Sequence, residues 1–157
     1  MTKVEEIRAT WTGPGLRLVG EANDGPAIVL DSKKPMFGSH SGPTPMELIL
    51  LGLAGCTGMD VMSILSKQRQ PVTGFQIKVT GERAEAHPKV YTQIHVEYVV
   101  YGEGVDEKAV ARAIELSETK YCSASAMLAK TAEITNEYRI LEDELTPQGN
   151  PGGRLES

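Results

Sequence analysis

Two cysteines are the residues of this chain best suited to covalent chemistry. Cys56 closes the apolar stretch "PMELILLGLAGC" (residues 45–56), and Cys122 sits 66 positions further on, in "KYCSAS". A free cysteine is among the most buried residue types and often does no more than fill a core. The neighbours of these two suggest more. Gly52, Ala54, Gly55, Thr57 and Gly58 flank Cys56, and Ser123, Ala124, Ser125 and Ala126 follow Cys122. Glycine inside a helix costs about 1 kcal/mol against alanine. Three of them so close together require either close packing against another backbone or room for a small substrate over the sulfur. A cysteine reacts as its thiolate, so a working thiol needs its pKa brought down from about 8.5. Cys56 falls about three turns into its helix, too far for the helix dipole to help. An arginine is the better source, itself held in place by a carboxylate.

Helix geometry limits which carboxylate that is. Glu47 precedes Cys56 by nine residues, which puts the two on opposite faces and ~13 Å apart along the axis. Glu47 cannot serve the thiol of its own straight helix. It could serve the thiol of a partner chain across a symmetric interface, and the protein would then be a dimer with shared sites. The other reading of Glu47 is a first-turn carboxylate that stabilises the helix start. Asp60, one turn after Cys56, is a same-face alternative. Two cysteines cannot alone build a zinc site, and His40, His87 and His95 show no ligand spacing.

The elements that must position these residues follow from hydrophobic period and turn signals. Residues 4–12, 16–22 and 26–31 read as short strands, separated by "TGPG" and "NDG", and make an antiparallel meander. "SKKPMFGSHSGPTP" (32–45) reads as a loop. Thr44 is the expected N-cap of a helix over 45–67, with Pro45 at its first position and Glu47 in its first turn. That helix is apolar on nearly every side from Leu48 to Met62, so it must be buried on several faces. Strands are expected over 75–80 and 90–101. In the second, Val90, Ile94, Val96, Tyr98 and Val100 share one face, and Gln93, His95 and Glu97 take the other. Residues 106–130 have helical period, with Asp106 as N-cap and a stripe of Val110, Ala113, Ile114 and Ser117. The pattern leaves open a single helix or a break near Lys120–Cys122. Residues 131–140 read as a last strand, and 142–157 as a loose polar tail after a single domain spanning 1–141. The order βββ–α–ββ–α(α)–β is that of an α+β protein. One small sheet cannot cover the apolar helix, so two sheets or a second subunit must.

Composition bounds the function. The chain has 157 residues, 40% of them hydrophobic and 24% charged, with a net charge of −5. No basic block suits nucleic acid or an anionic membrane surface. No apolar run is expected to reach the ~18–20 residues that span a bilayer. The N-terminal "MTKVEEIRATW" has no apolar leader stretch. A cytoplasmic location is expected, where a structural disulfide would be unusual.

"SGPTPMELILLGLAGCTGMDVMSIL", followed by "KYCSAS", resembles the OsmC/Ohr superfamily of hydroperoxide-reducing proteins. The likeness covers roughly residues 4–140. It implies an intertwined α+β homodimer, with central helices wrapped by two antiparallel sheets. It also implies thiol peroxidase chemistry with Cys56 peroxidatic and Cys122 resolving, and a role in oxidative stress defence. "WTGPGLR" (11–17) resembles the family's W-x-G…R stretch, which makes Arg17 the implied activating arginine and Glu47 its carboxylate, at the dimer interface. The organic-hydroperoxide-resistance branch carries N-P-E-Q-L where this chain has T-P-M-E-L. The glutamate here is one position later, and Met46 takes the other slot. "MDVMSIL", "SETKYCS" and "GERAEAHP" are closer to a third, less characterised branch. The implied substrate is an organic hydroperoxide, favoured by an apolar funnel that includes Met46 and Phe37. The implied reductant is an external thiol or dithiol, and no metal or organic cofactor is implied. A non-catalytic dimer that binds an apolar small molecule, or a thiol redox sensor on the same fold, are the rival readings.

Overall fold

The computed structural model describes residues 4–23 and 25–142. The expected tail lies outside the described residues apart from Glu142. The chain divides into two units, Met1–Leu51 and Gly52–Ser157.

In the first unit, strands β1 (Ile7–Trp11), β2 (Leu18–Ala22) and β3 (Ile28–Leu30) form the expected antiparallel meander, in the order β1-β2-β3. The β1–β2 turn is closed by Thr12 N donating to Arg17 O at 3.1 Å and by Trp11 Nε1 donating to Gly15 O at 2.8 Å. Gly15 has φ of +81°, and a Cβ there would collide with the Phe37 carbonyl oxygen. The sheet covers little of its own apolar surface. Trp11 is 66% exposed, and Ile7 and Ile28 are more than half exposed.

The loop after β3 is organised by Asp31, which is buried. Its carboxylate accepts from Ser41 Oγ (2.7 Å) and N (3.0 Å), from Ser39 Oγ (2.8 Å) and N (3.2 Å), and from Ser32 N (2.7 Å). Those bonds, Ser41's hydroxyl first, hold the carboxyl well below the usual carboxylate range. Helix α1 (Pro45–Lys67) begins at the end of this loop. Thr44 caps it as expected. Its Oγ1 accepts from Glu47 N at 3.3 Å, and Glu47 Oε2 accepts from Thr44 N at 2.9 Å, the reciprocal pair of a capping box.

The second unit holds the rest of α1, strands β4 (Gly74–Arg83), β5 (Tyr91–Tyr101) and β6 (Glu133–Leu141), and helices α2 (Glu107–Leu116) and α3 (Ser123–Leu128). β4 pairs antiparallel with β5, but β5 pairs parallel with β6. The second sheet is therefore mixed, which corrects the expectation of two antiparallel sheets. The α2–α3 segment crosses over and returns the chain to the end where β5 began, so β6 must run alongside β5. The core lies between this sheet and the helices. Leu53, Thr57, Val61 and Leu65 form an i, i+4 stripe on α1 and are buried. Ile94, Val96, Tyr98 and Val100 of β5 and Val110, Ala113, Ile114 and Ser117 are buried as the sequence pattern predicts. Val90 is not. A register shift at Arg83 pairs Glu82 with Gln93 and Arg83 with Tyr91, leaving Thr92 as an extra residue. One extra residue reverses the side-chain alternation, so Tyr91 turns inward and Val90 stays out.

The α1 glycines have different roles. A Cβ at Gly58 would touch the Phe75 ring at 3.4 Å, so this glycine lets α1 lie close to β4, whereas nothing lies within 4 Å of a Cβ at Gly52 or Gly55. Over its most apolar stretch α1 has a mean hydropathy of 1.9, yet only 28% of that stretch is buried. By length and composition this one helix could cross a bilayer, which corrects the expectation that no run is long enough. A single acid, Asp60, among so many small and aliphatic residues does not lower the mean enough. Its Leu53–Leu65 stripe nevertheless packs on protein, while Leu51 and Met59 are exposed.

Asp31→Asn is expected to speed amide exchange at Ser32, Ser39 and Ser41. Because the folded carboxyl titrates below its unfolded value of about 3.9, its contribution is complete above that pH and is lost as pH falls through the folded value. The gap between wild type and Asp31→Asn in denaturant midpoint should therefore be full near pH 6 and shrink below about pH 4.

Candidate active site

Cys56 and Cys122 come together although they are far apart in sequence. Their sulfurs and a carboxylate oxygen of Asp60 all lie within 4.8 Å of one another. Cys56 is partly exposed on α1, and Asp60 follows it by one turn on the same face. Cys122 is 3% exposed.

A break in the second helical run puts Cys122 there. α2 ends at Leu116 and gives way to a π turn over Ser117–Tyr121, in which Cys122 N donates to Ser117 O at 2.7 Å. The sequence left this choice open, and the structure settles it as a break. Cys122 itself is extended, with φ of −72° and ψ of 99°, and becomes the N-cap of α3. Its Sγ accepts from Ser125 N at 3.4 Å. Rare π turns of this kind often sit at functional sites. Burial pushes the Cys122 thiol up to about 11, against the weaker help of that Ser125 bond. At neutral pH Cys122 is a protonated thiol.

A chain of hydroxyls leads from the core to Asp60. Thr57 Oγ1 lies 2.7 Å from Tyr98 Oη and 2.9 Å from Ser117 Oγ, and Ser117 Oγ lies 3.1 Å from Asp60 Oδ2. An ionised carboxylate only accepts, and each hydroxyl has a single proton. Ser117 therefore donates to Asp60, Thr57 to Ser117, and Tyr98 to Thr57. Burial raises the Tyr98 phenol to about 12, which keeps that first donor protonated. In the same turn, Glu118 accepts from Asn136 Nδ2 at 2.7 Å, and burial raises its carboxyl.

The other two expected site residues belong to the first unit. Arg17 donates from Nε to Thr12 Oγ1 and from Nη2 to Gly13 O, both at 3.3 Å. Glu47 is held by its capping box and by Lys33, 3.6 Å from its Oε1. These bonds, Thr44's backbone N–H first, lower its carboxyl. Glu47 thus makes the helix-start bonds that its position allowed, and the bonds of Arg17 and Glu47 go to different partners rather than to each other. Phe37, expected in an apolar funnel, is 85% exposed.

Sequence reasoning missed the Thr57–Ser117–Tyr98 network. Ser117 stood in the apolar stripe of α2, a polar residue on a core face, and that was the available signal. It also missed the group of His95, Glu97 and Glu137, whose ligand atoms lie within 4.8 Å of one another. The parallel register that sets Glu137 beside Glu97 cannot be read from spacing along the chain.

Comparison with known proteins agrees with this architecture. A profile of the family described as OsmC-like protein matches residues 38–137. Protein YhfA of Escherichia coli K12 is 38% identical over 136 residues, which are 87% of this chain and 98% of that protein. The chain belongs to the OsmC-like protein family. A crystal structure of a hypothetical protein from Aquifex aeolicus VF5 has a TM-score of 0.74 at 34% identity, covering 88% of this chain and 98% of its own. A structure named an organic hydroperoxide resistance protein OsmC, from Legionella pneumophila, has a TM-score of 0.65 at 12% identity, covering 91% and 99%. At that identity the likeness is one of fold.

Thr57→Val should leave the Tyr98 and Ser117 hydroxyls short of a partner and destabilise the protein by about 1–3 kcal/mol in denaturant unfolding. Iodoacetamide at pH 8 should label Cys56 in the folded protein and leave Cys122 unmodified until the chain unfolds, as peptide mass spectrometry would report.

Proposed function

We propose that the protein is a thiol-dependent hydroperoxide reductase, with Cys56 as peroxidatic and Cys122 as resolving cysteine. The observation that carries this reading is the approach of the two sulfurs, within 4.8 Å, one partly exposed and the other buried. That arrangement suits an attacking thiol that meets substrate and a sheltered thiol that meets only the first. The Cys56 thiolate attacks the distal oxygen of the hydroperoxide, the O–O bond breaks, and the departing alkoxide takes from solvent the proton that the thiol released on ionising, leaving as the alcohol. Cys56 becomes a sulfenic acid. The Cys122 thiol displaces its hydroxyl as water, and the sulfurs close to about 2.05 Å as a disulfide. An external dithiol then supplies two electrons and restores both thiols.

Arg17 and Glu47 are assigned as the activating pair, supplied to the thiol by a second copy of the chain in a homodimer. Two features support that assembly. Only 28% of the apolar stretch of α1 is fully buried, with Ile49, Leu51 and Met59 exposed, and Ile7, Trp11 and Ile28 of the meander are exposed as well. Exposed apolar surface on this scale marks an interaction site. Apolar side chains near the site would favour organic hydroperoxides over H₂O₂. The setting is the cytoplasm, and the role is defence against oxidative stress.

The test is stopped-flow mixing of the reduced protein with cumene hydroperoxide and with H₂O₂, with products read by non-reducing mass spectrometry. Fast stoichiometric consumption is expected, faster with cumene hydroperoxide. Cys56→Ser should abolish it, and Cys122→Ser should stop at a sulfenic acid that dimedone traps. Arg17→Ala should slow the first step by about 10²-fold or more. Mixed dimers of Cys56→Ser and Arg17→Ala chains should recover roughly a quarter of wild-type activity, because half the dimers are mixed and each has one intact shared site. A rate no greater than that of an unactivated thiol would overturn the enzyme reading.

A further inference from the structure

Three donors converge in the second unit, and their chemistry is that of a metal site. Cys56 and Asp60 stand one turn apart on α1, and Cys122 opens α3. Two sulfurs and a carboxylate oxygen lie within 4.8 Å of one another. We propose that reduced Cys56, Cys122 and Asp60 bind a thiophilic divalent cation, Zn²⁺ above all, with a fourth ligand from solvent.

The distances fit with small adjustments. Tetrahedral zinc takes sulfur at about 2.3 Å and carboxylate oxygen at about 2.0–2.2 Å, which sets its ligands some 3.5–3.8 Å apart. Side-chain movements of about 1 Å bring these three donors onto one ion. The i, i+4 spacing of Cys56 and Asp60 puts two ligands on one helix face, as helical metal motifs require. Outer partners are already in place. Ser117 Oγ donates to Asp60 Oδ2 and leaves the carboxylate lone pairs to spare, and Ser125 N donates to Cys122 Sγ. Such bonds orient ligands before an ion arrives. Two thiolates select zinc-like ions over Mg²⁺ or Ca²⁺. A cavity of about 380 Å³, lined by Asp60, Ile64, Lys67 and Tyr121 among others, opens beside Asp60 and leaves that ligand accessible, although neither cysteine lines it. The His95 group is a poorer candidate. His95 pairs with Thr135 and Glu137, and Glu97 pairs with Lys78, so its donors are engaged with one another.

A bound ion holds both sulfurs apart and as thiolates, so it excludes the disulfide. Zinc would keep the pair reduced and block its reaction with peroxide. The binding itself requires only reduced cysteines, and it stands or falls independently of the peroxidase reading.

The test titrates the reduced, untagged full-length chain with Co²⁺ under argon, followed by Zn²⁺. One Co²⁺ per chain is expected, with thiolate-to-metal charge-transfer absorption and the strong visible bands of a tetrahedral ion, all abolished by Zn²⁺. Cys56→Ser and Cys122→Ser should each weaken the charge-transfer band. Asp60→Asn should bind at least tenfold more weakly while its far-ultraviolet circular dichroism stays native. Bound Zn²⁺ should also slow alkylation of Cys56. Absence of thiolate charge transfer in the wild-type protein would overturn the proposal without recourse to any variant. So would wild-type affinity in natively folded Asp60→Asn.

Discussion

The buried hydroxyl of Thr57 is the point on which the second unit turns. It is 2% exposed, and so cannot be left without hydrogen bonds. Its two partners come from different elements, Tyr98 from β5 and Ser117 from the π turn. Satisfying one side chain therefore fixes three elements at once. Thr57 adjoins Cys56, so the rotation of α1 that buries Thr57 also sets how far Cys56 faces out. Ser117 begins the turn whose last residue precedes Cys122, so the same hydroxyl sets where the second sulfur goes. The proton order from Tyr98 to Asp60 then gives the network a direction, with a negative charge at the end nearest the cysteines. A half-satisfied network in a low-dielectric core costs more than none, and that makes the arrangement specific rather than merely stable.

The first unit shows the opposite situation. Its meander has a well-defined register and a loop pinned by five bonds to Asp31, yet β1 is exposed along its length and no residue of β2 or β3 is fully buried. A three-stranded sheet gains its stability from what covers one face. Local chemistry has fixed the shape of this unit without burying it. The same holds for the outer side of α1, where Gly52 and Gly55 have open space over them. Glycines that cost helix stability and touch nothing in their own chain keep that face of α1 open, for another backbone or for a small molecule.

Much of this was legible in the sequence because it is local. The strands, the Thr44–Glu47 cap and the stripe from Val110 to Ser117 each follow from period or from residues three or four apart. The exceptions all involve separations that spacing cannot carry. The parallel pairing of β6, the bulge that exchanges Val90 for Tyr91, and the approach of Cys122 to Cys56 depend on where a crossover ends. The full meaning of Asp60 and Ser117 depended on that same crossover. Each looked like an isolated polar residue in an apolar stretch, and each was a partner of the other. The pairing of Glu47 with Lys33 was missed for a similar reason, since Lys33 lies in a loop with no period to read.

The chemistry of the two thiols is set by unequal burial. A thiolate at Cys122 is opposed by the same burial that raises its pKa to about 11. Buried and protonated, this thiol is a poor nucleophile toward solutes in bulk solvent, and in the chemistry proposed it reacts once an electrophilic sulfur or a cation is brought to it. Cys56 is the more exposed of the two sulfurs, and in both proposed reactions it meets the incoming species in the open. Both fates use the same short separation between the sulfurs and differ in what enters. An oxidant withdraws two electrons and joins the sulfurs, whereas a dication withdraws two protons and keeps them apart. Asp60 separates the two cases. Its charge completes the ligand set of a cation, but a disulfide leaves it nothing to neutralise. The position of that carboxylate, one turn after Cys56 and tied through Ser117 to the core, is what extends the site beyond a pair of neighbouring thiols.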